Sequence, residues 1–117
     1  MKKLLLPLAL VATTGCDEIF GDTVCTASAE PAVVVEVVDA DTDDAITDAI
    51  VWVQDGEFVD TLDFNEGLAA GAHERPGTYD VHVEAEGYAP WSQEDVVVRD
   101  GECHVRTREL TAELVAE

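Results

Sequence analysis

The sequence predicts an all-β protein, a single β-sandwich of six or seven short strands within residues 31–117. Apolar and polar residues alternate with a period of two from residue 32 onward, which is the repeat of a half-buried strand. Turn-forming residues interrupt this alternation at short intervals, and no segment has a sustained helical repeat. The segment shows no internal repeat and has the length of one small domain, so we expect a single domain.

The first two predicted strands distribute their apolar residues differently. The run AVVVEVV (residues 32–38) places Glu36 on one face and alternate valines on the other, namely Val33, Val35 and Val37. The run AIVWVQ (residues 49–54) is apolar on both faces. That pattern is typical of a central strand.

A hairpin is predicted to follow the second strand. Asp55-Gly56 is a two-residue turn signal, and EFVDTLDF (residues 57–64) returns from it with three apolar side chains in one phase, Phe58, Leu62 and Phe64. The next run, EGLAAGAHE (residues 66–74), comes nearest to a helical pattern. Because it holds two glycines and several alanines, we expect a loop there.

The alternation is clearest in TYDVHVEA (residues 78–85). Its apolar phase holds Tyr79, Val81, Val83 and Ala85, and its polar phase holds Thr78, Asp80, His82 and Glu84. One phase should therefore face the core and the other should face solvent.

The C-terminal part predicts a second hairpin. The run DVVVR (residues 95–99) is followed by the turn signal Asp100-Gly101 and by a last strand, CHVRTRELTAEL (residues 103–114). The apolar phase of that last strand changes between Val105 and Leu110, so we expect a bulge or bend there.

The chain begins with a leader of the secretory type. Lys2 and Lys3 precede an apolar run, Leu4 to Ala12, that would span only about 14 Å as a helix, against roughly 30 Å of hydrocarbon in a bilayer. We therefore predict that residues 1–15 are a signal peptide and not a membrane span.

The residues TTGC at positions 13–16 resemble the lipobox of bacterial lipoproteins. Gly15 fits that pattern, whereas Thr13 stands where a leucine is usual. The resemblance implies cleavage after Gly15 and acylation of Cys16 with fatty acids such as palmitate, which anchors the chain in a membrane of the cell envelope, on its periplasmic or cell-surface side. Residues 16–30 would then be a lipidated N-terminus and tether. The alternative is an ordinary secretory signal that is cut nearby and leaves Cys16 as a free or disulfide-bonded thiol.

The charge of the chain excludes one class of partner. The chain has 26 acidic and 6 basic residues, a net charge of −20, and removal of Lys2 and Lys3 would change this to −22. Such a surface repels phosphate backbones, so a nucleic-acid partner is not expected. It also repels anionic headgroups, so the anchor must be lipid and not surface charge. The acidic surface either attracts cations or a basic partner, or it is simply solvated.

The stretch RPGTYDVHVEAEGY (residues 75–88) resembles the carboxypeptidase regulatory-like domains, which are small sandwiches related to transthyretin. The shared features are Pro76-Gly77, an inward Tyr79 followed by alternating valines, and a corner at Gly87-Tyr88. We expect the hydroxyl of Tyr79 to reach the backbone at the sheet edge and Gly87 to let the chain turn tightly. Residues 35–53 look like the opening strand, acidic turn and second strand of the same family, with an aspartate where the turn usually has glycine. The resemblance implies an immunoglobulin-like or transthyretin-like β-sandwich that serves as a non-catalytic accessory module over residues 31–117.

Small exported domains of this kind join their terminal strands by a disulfide, which implies the pairing of Cys25 with Cys103. Cys25 precedes the first strand, and Cys103 begins the last predicted one. A crosslink over this separation would stabilise the fold by roughly 4 to 5 kcal/mol on the chain-entropy model.

The acidic turn is a weak candidate for calcium. Its oxygen ligands would come from Asp39, Asp41, Asp43 and Asp44. The run starts like an EF-hand loop, but it lacks the glycine at the sharp turn and has Ile50 where a bidentate glutamate belongs. The alternative is a solvated connection between two strands.

Aromatic residues and histidines provide the other candidates. Tyr88 and Trp91, with Trp52, are a weak candidate platform for sugar rings if exposed, and otherwise they fill the core. We place Trp91, which follows a proline, in a turn. His82 and His104 would suit a transition metal only if their strands were neighbours.

No pattern of catalytic residues is present. The sequence has no G-x-S-x-G elbow and no recognisable Cys–His pair, so we do not expect an enzyme. The expected function is that of a structural or interaction module in the cell envelope, with an envelope protein or glycan as partner. The alternative is a carbohydrate- or calcium-binding module, and no cofactor other than calcium is expected.

Overall fold

The computed structural model describes Cys25 and residues 27–117, and it is an eight-stranded β-sandwich without helices. The strands are β1 (Val33–Asp39), β2 (Ile50–Asp55), β3 (Phe58–Thr61), β4 (Asp63–Asn65), β5 (Leu68–Gly71), β6 (Gly77–Glu84), β7 (Trp91–Val98) and β8 (Arg108–Leu114). The all-β class and the sandwich architecture are as predicted, and two short strands bring the number above the expected six or seven.

The strands form two four-stranded sheets. The first sheet has the order β4-β5-β1-β8, and the second has the order β3-β2-β6-β7. All neighbouring strands are antiparallel except β1 and β8, which run parallel. The first and last strands of the domain therefore lie side by side and point in the same direction.

The core lies between the sheets and is built mainly from valines. In β1 the predicted valines are fully buried and Glu36 is exposed. In β6 the inward phase of Tyr79, Val81 and Val83 is fully buried, also as predicted. Burial of each such side chain contributes about 1.5 to 3 kcal/mol relative to exposure.

Strand β2 is an interior strand of the second sheet, yet only one of its faces is covered. Val51 and Val53 are buried, whereas Ile50 is 58% exposed and Trp52 is half-buried. Its hairpin turn uses Gly56 and the following glutamate, with Asp55 already paired to Phe58. The turn thus falls one residue later than predicted.

The prediction of a loop in residues 66–74 is wrong, because Leu68–Gly71 forms β5 in the interior of the first sheet. Small side chains are required at this place. Ala69 is fully buried, and a Cβ added to Gly71 would lie 2.9 Å from a carboxylate oxygen of Asp60 and 3.1 Å from Leu62. The residues that weakened the strand pattern are those that let the chain pass close to its neighbours.

The predicted single strand at residues 57–64 is divided between the two sheets. Strand β3 belongs to the second sheet, β4 belongs to the first, and Leu62 lies between them. Leu62 is buried and its N–H donates to the carbonyl of Val51 at 2.8 Å. The chain thus crosses over the rim of the sandwich at this leucine.

The second predicted hairpin is also wrong. Strands β7 and β8 lie in different sheets, and residues 99–107 connect them. Within this connection Asp100 pairs with Val105, and the N–H of Gly101 donates to the carbonyl of His104 at 2.9 Å. Cys103 therefore lies in the connection and not in the last strand. The change of phase after Val105 reflects the start of a new strand in the other sheet.

Candidate functional site

A disulfide joins Cys25 to Cys103, with their Cα atoms 5.2 Å apart. The pairing agrees with the one implied by the family resemblance. It ties the segment before β1 to the connection between β7 and β8, which is the last connection of the domain. Cys16, the predicted lipidation site, lies outside the described residues.

The disulfide distinguishes the two ends of the sandwich. We call the disulfide end the one where β1 and β8 begin and where residues 99–107 cross between the sheets. We call the acidic end the opposite one, where β1 and β8 finish and residues 39–48 form the acidic turn. The candidate sites divide between these ends.

Glu74 is the centre of the polar contacts at the disulfide end. Its carboxylate accepts the N–H of Glu30 at 2.9 Å and the N–H of Val105 at 3.3 Å, and it pairs with the Nδ1 of His104. These contacts, led by the bond from Glu30 and then by His104, lower the pKa of Glu74 below its ordinary value. Sequence reasoning missed this residue, because nothing distinguishes one acidic residue among 26.

Three arginines line one groove at the disulfide end. This arginine groove is bordered by Val97, Arg99, Arg106, Thr107 and Arg108 and has a volume of about 290 Å³. The N–H of Arg106 donates to the carbonyl of Arg99 at 2.8 Å, and a guanidinium nitrogen of Arg108 donates to the carbonyl of Val97 at 3.1 Å. Among the described residues, no acidic side chain lines the groove.

The fourth arginine of the described residues is held differently. Arg75 forms an ion pair with Asp55 at 3.1 Å, and its guanidinium lies 3.9 Å from the centre of the Phe58 ring. The buried Tyr79 donates its hydroxyl to the carbonyl of Arg75 at 2.6 Å, which is the backbone contact predicted for this tyrosine. Gly77 is needed because a Cβ there would collide with the Asp55 carboxylate. This cluster closes the core at the disulfide end.

The acidic turn is organised by Asp39. Its carboxylate accepts the N–H of Asp41 at 2.8 Å, the N–H of Thr42 at 3.1 Å and the hydroxyl of Tyr88 at 2.7 Å. The bond from Tyr88, followed by the two backbone bonds, lowers the pKa of Asp39, and the same contact raises the pKa of Tyr88. Asp43 has a φ of 64°, which lies in the left-handed region that glycine adopts most readily.

The carboxylate oxygens of Asp39 therefore already accept hydrogen bonds from groups of the chain itself. Within Cys25 and residues 27–117, no three His, Cys, Asp or Glu side chains come together as a metal-binding group. The calcium site at Asp39, Asp41, Asp43 and Asp44 stays a prediction.

The aromatic candidates separate into two neighbouring grooves. Trp91 is the first residue of β7, paired with Val83, and is not in a turn as predicted. It is half-buried and lines a groove of about 130 Å³ with Trp52, His82 and Pro90. The ring of Trp52 stacks on that of His82, with their centres 5.0 Å apart.

Tyr88 does not line this groove. It borders a wider one of about 530 Å³ at the acidic end, together with Pro90, Ala85, Ile50 and four acidic residues, Asp48, Glu84, Glu86 and Glu117. The two predicted histidines have separate partners, since His82 stacks on Trp52 and His104 pairs with Glu74. The structure thus brings Trp52 and Trp91 together and does not place Tyr88 with them.

Comparisons of the sequence with protein families and with curated proteins give no match. No protein-family model matches the chain, and no curated protein is significantly similar to it in sequence. The resemblance to carboxypeptidase regulatory-like domains therefore stays a prediction that rests on residues 75–88 and 35–53.

Proposed function

We propose that the protein is a lipoprotein of the bacterial cell envelope, anchored through an acylated Cys16 and displaying a non-catalytic β-sandwich as a structural or interaction module. The disulfide is the observation that carries this proposal. It uses two of the three cysteines of the chain, so Cys16 remains for a separate role. Disulfides of this kind belong to oxidising compartments, which agrees with an exported protein.

The distance along the chain supports the same role. Cys16 precedes Cys25 by nine residues, which span at most about 30 Å when extended. A lipid on Cys16 would therefore hold the folded domain close to the bilayer surface. The described residues contain no helix long and apolar enough to cross a membrane.

The outer face of the second sheet offers a surface for interaction. Ile50 is 58% exposed and Val59 is 55% exposed, and both lie on this sheet beside the half-buried Trp52. Large apolar side chains grouped on one sheet face are typical of contact surfaces. The partner expected there is an envelope protein.

The mass of the mature N-terminus tests the anchor. The N-terminal peptide of the protein isolated from membranes should begin at Cys16 and carry the added mass of acyl chains. The intact protein should partition into detergent, and Cys16→Ser should partition into the aqueous phase with an unchanged melting temperature. A mature N-terminus at another residue, or an unmodified Cys16, would refute the proposal.

Crosslinking in intact cells tests the interaction module. A photoreactive residue at position 59 should capture a defined envelope protein, and one at position 111, on the other sheet, serves as the control. If no partner is captured from either position, the role as an interaction module fails.

A second candidate function is the binding of carbohydrate, and the groove lined by Trp52 and Trp91 favours it. A tryptophan face beside polar side chains is suited to stacking on a sugar ring. Binding of cell-wall glycan should then be lost in Trp91→Ala and in Trp52→Ala, and retained in Tyr88→Phe. Circular dichroism of each variant would show whether it is folded. Glycan binding that is equal in all three variants would exclude this candidate.

A further inference from the structure

The positive charge of the described residues is gathered at one end of the molecule. All four arginines lie at the disulfide end, and three of them line the arginine groove. The acidic end holds five aspartates within residues 39–48 and three further acidic residues of the wide groove around Tyr88, namely Glu84, Glu86 and Glu117. Acidic residues occur at both ends, as Asp55 and Glu74 show, but the arginines of the described residues occur at the disulfide end alone.

The three groove arginines are available to a ligand. Arg99 and Arg106 are exposed, Arg108 is half-buried, and within the described part of the chain none of the three forms an ion pair with a carboxylate. In a protein with 26 acidic residues this separation is unexpected, because arginines scattered at random would meet acidic neighbours. Guanidinium groups bind phosphate oxygens with two parallel hydrogen bonds and are suited to such ligands.

The other residues of the groove, Val97 and Thr107, carry no charge. Thr107 donates its hydroxyl to the carbonyl of Pro31 at 2.6 Å, so its oxygen is engaged with the chain. Asp100 and Glu102 lie on the same connection, but they do not line the groove. With three arginines and two acidic residues, positions 99–108 carry a net positive charge, although the domain as a whole is strongly negative.

The position of the groove indicates which kind of phosphate group would lie within its reach. Cys103 lies between Arg99 and Arg106 in sequence, and the disulfide fixes Cys25 to it. The nine residues that lead back to Cys16 have a root-mean-square span of about 15 to 18 Å if they behave as a coil. The connection that carries the arginines is therefore the part of the domain held closest to the lipid anchor.

We propose that the arginine groove binds the phosphates of anionic lipid headgroups in the membrane that anchors the protein, and so orients the domain with its disulfide end on the bilayer. This inference rests on the proposed acylation of Cys16. Each basic residue close to an anionic surface favours contact about fivefold. The same surface repels the acidic end, so attraction and repulsion favour one orientation, while the lipid provides the attachment.

Arginine-selective chemical modification tests the inference residue by residue. The acylated protein is reconstituted into vesicles of phosphatidylcholine, or of phosphatidylcholine with phosphatidylglycerol, and treated with phenylglyoxal. Mass spectrometry then reads the modification of each arginine. Arg99 and Arg106 should be modified several-fold more slowly in the anionic vesicles, and Arg75, which is paired with Asp55, should be modified equally in both. High salt should remove the difference, because it screens exposed charges.

Variants test whether orientation depends on these charges. In the parent protein, anionic vesicles should slow the hydrogen exchange of the backbone amides of residues 99–108. The triple variant Arg99→Gln, Arg106→Gln, Arg108→Gln should stay anchored but lose this slowing. The matched triple lysine variant should keep most of that effect. Equal modification in the two kinds of vesicle, or an effect that survives the glutamine substitutions, would overturn the inference.

Further measurements distinguish other causes of slower arginine modification. Inorganic phosphate in solution should slow the modification of Arg99 and Arg106 less than anionic vesicles do. If it slows the modification to the same extent, the groove is a site for free phosphate and the membrane role is refuted. Protection in intact cells that is absent in vesicles of extracted lipids would assign the groove to an acidic protein instead. The same digest reports the mass on Cys16. An unmodified Cys16 refutes the lipoprotein proposal and this inference together, whereas acylated Cys16 with unprotected arginines refutes the inference alone.

Discussion

The two ends of the sandwich are held together in different ways. At the disulfide end, a covalent bond joins Cys25 to Cys103, and the carboxylate of Glu74 binds both segments that this bond connects. At the acidic end, the carboxylate of Asp39 accepts two N–H groups of the turn after β1 and the hydroxyl of the distant Tyr88, and the N–H of Ala40 donates to the carbonyl of Leu114. Segments distant in sequence thus meet at both ends. At the disulfide end a covalent bond joins them, whereas at the acidic end hydrogen bonds do.

This difference follows from where the charges lie. At the disulfide end, acidic residues have basic side chains as partners, as in the pairs Arg75–Asp55 and His104–Glu74. At the acidic end no carboxylate forms an ion pair with a described residue, and Asp39 accepts hydrogen bonds from backbone N–H groups and the Tyr88 hydroxyl instead. The comparison predicts that perturbations at the disulfide end will cost more stability than matched ones at the acidic end.

Loss of the disulfide should have the largest effect. Reduction, or Cys103→Ser, should lower the free energy of unfolding by roughly 4 kcal/mol, because the crosslink restricts the unfolded chain over most of the domain. That is comparable to the whole stability of a domain this small. Urea unfolding of the oxidised and reduced protein measures the change, and Cys16→Ser is the control that should leave it unaltered. Identical unfolding midpoints in both redox states would contradict the prediction.

The hydroxyl of Tyr79 should contribute next. Tyr79→Phe keeps the buried ring and removes the bond to the carbonyl of Arg75, so we expect a loss of about 1 to 2 kcal/mol. Denaturant unfolding with an unchanged m-value would attribute the loss to the native state. If the variant is as stable as the parent protein, the bond does not close the core as described.

Glu74 should give the disulfide end its sensitivity to acid. Because the pKa of this carboxyl is lowered in the folded state, its contribution is present above the ordinary pKa of 4.5 and is lost as the pH falls through the lowered value. The melting temperature of the parent protein should thus fall on acidification, and that of Glu74→Gln should be lower at neutral pH and fall less steeply. Thermal scans from about pH 7 to about pH 3 measure both slopes. Parallel slopes for the two proteins would contradict the assignment.

The smallest effect is expected at the acidic end. Tyr88→Phe removes the hydroxyl that contributes most to the lowered pKa of Asp39, so that pKa should rise towards its ordinary value of 3.8. The melting temperature should change less than it does for Tyr79→Phe, which is the matched substitution at the other end. Carboxyl chemical shifts followed by NMR during an acid titration report the pKa of Asp39. A larger loss of stability for Tyr88→Phe would reverse the comparison between the ends.

The sequence predicted best where the period of two was unbroken. The buried faces of β1 and β6, the hydroxyl contact of Tyr79 and the tight turn at Gly87, which has a φ of 87°, are all found. It failed where small residues formed a strand, as in β5, and where a strand-like run changed sheets at Leu62. Alternation records which side chains face the core, but it contains no information about which sheet a strand joins.

For the candidate sites too, the sequence showed local features but not the contacts between distant residues. The aromatic residues and the acidic turn were visible in the sequence, but the contact between Tyr88 and Asp39 spans 49 positions and has no local signal. Glu74 had no signal in the sequence at all. The arginines at positions 99, 106 and 108 were visible as residues, but the predicted hairpin would have placed them along one sheet and not around a groove between two connected strands.

The sequence by itself determined the all-β class, the inward valines and the strongly negative charge, because these depend on composition and local periodicity. Only the tertiary structure decided that β5 is a strand, that β7 and β8 belong to different sheets, and that the arginines gather at the end held by the disulfide. These features arise from pairing between segments far apart in the chain. Such pairing is fixed by how the two faces fit together, and no stretch of a few residues specifies it.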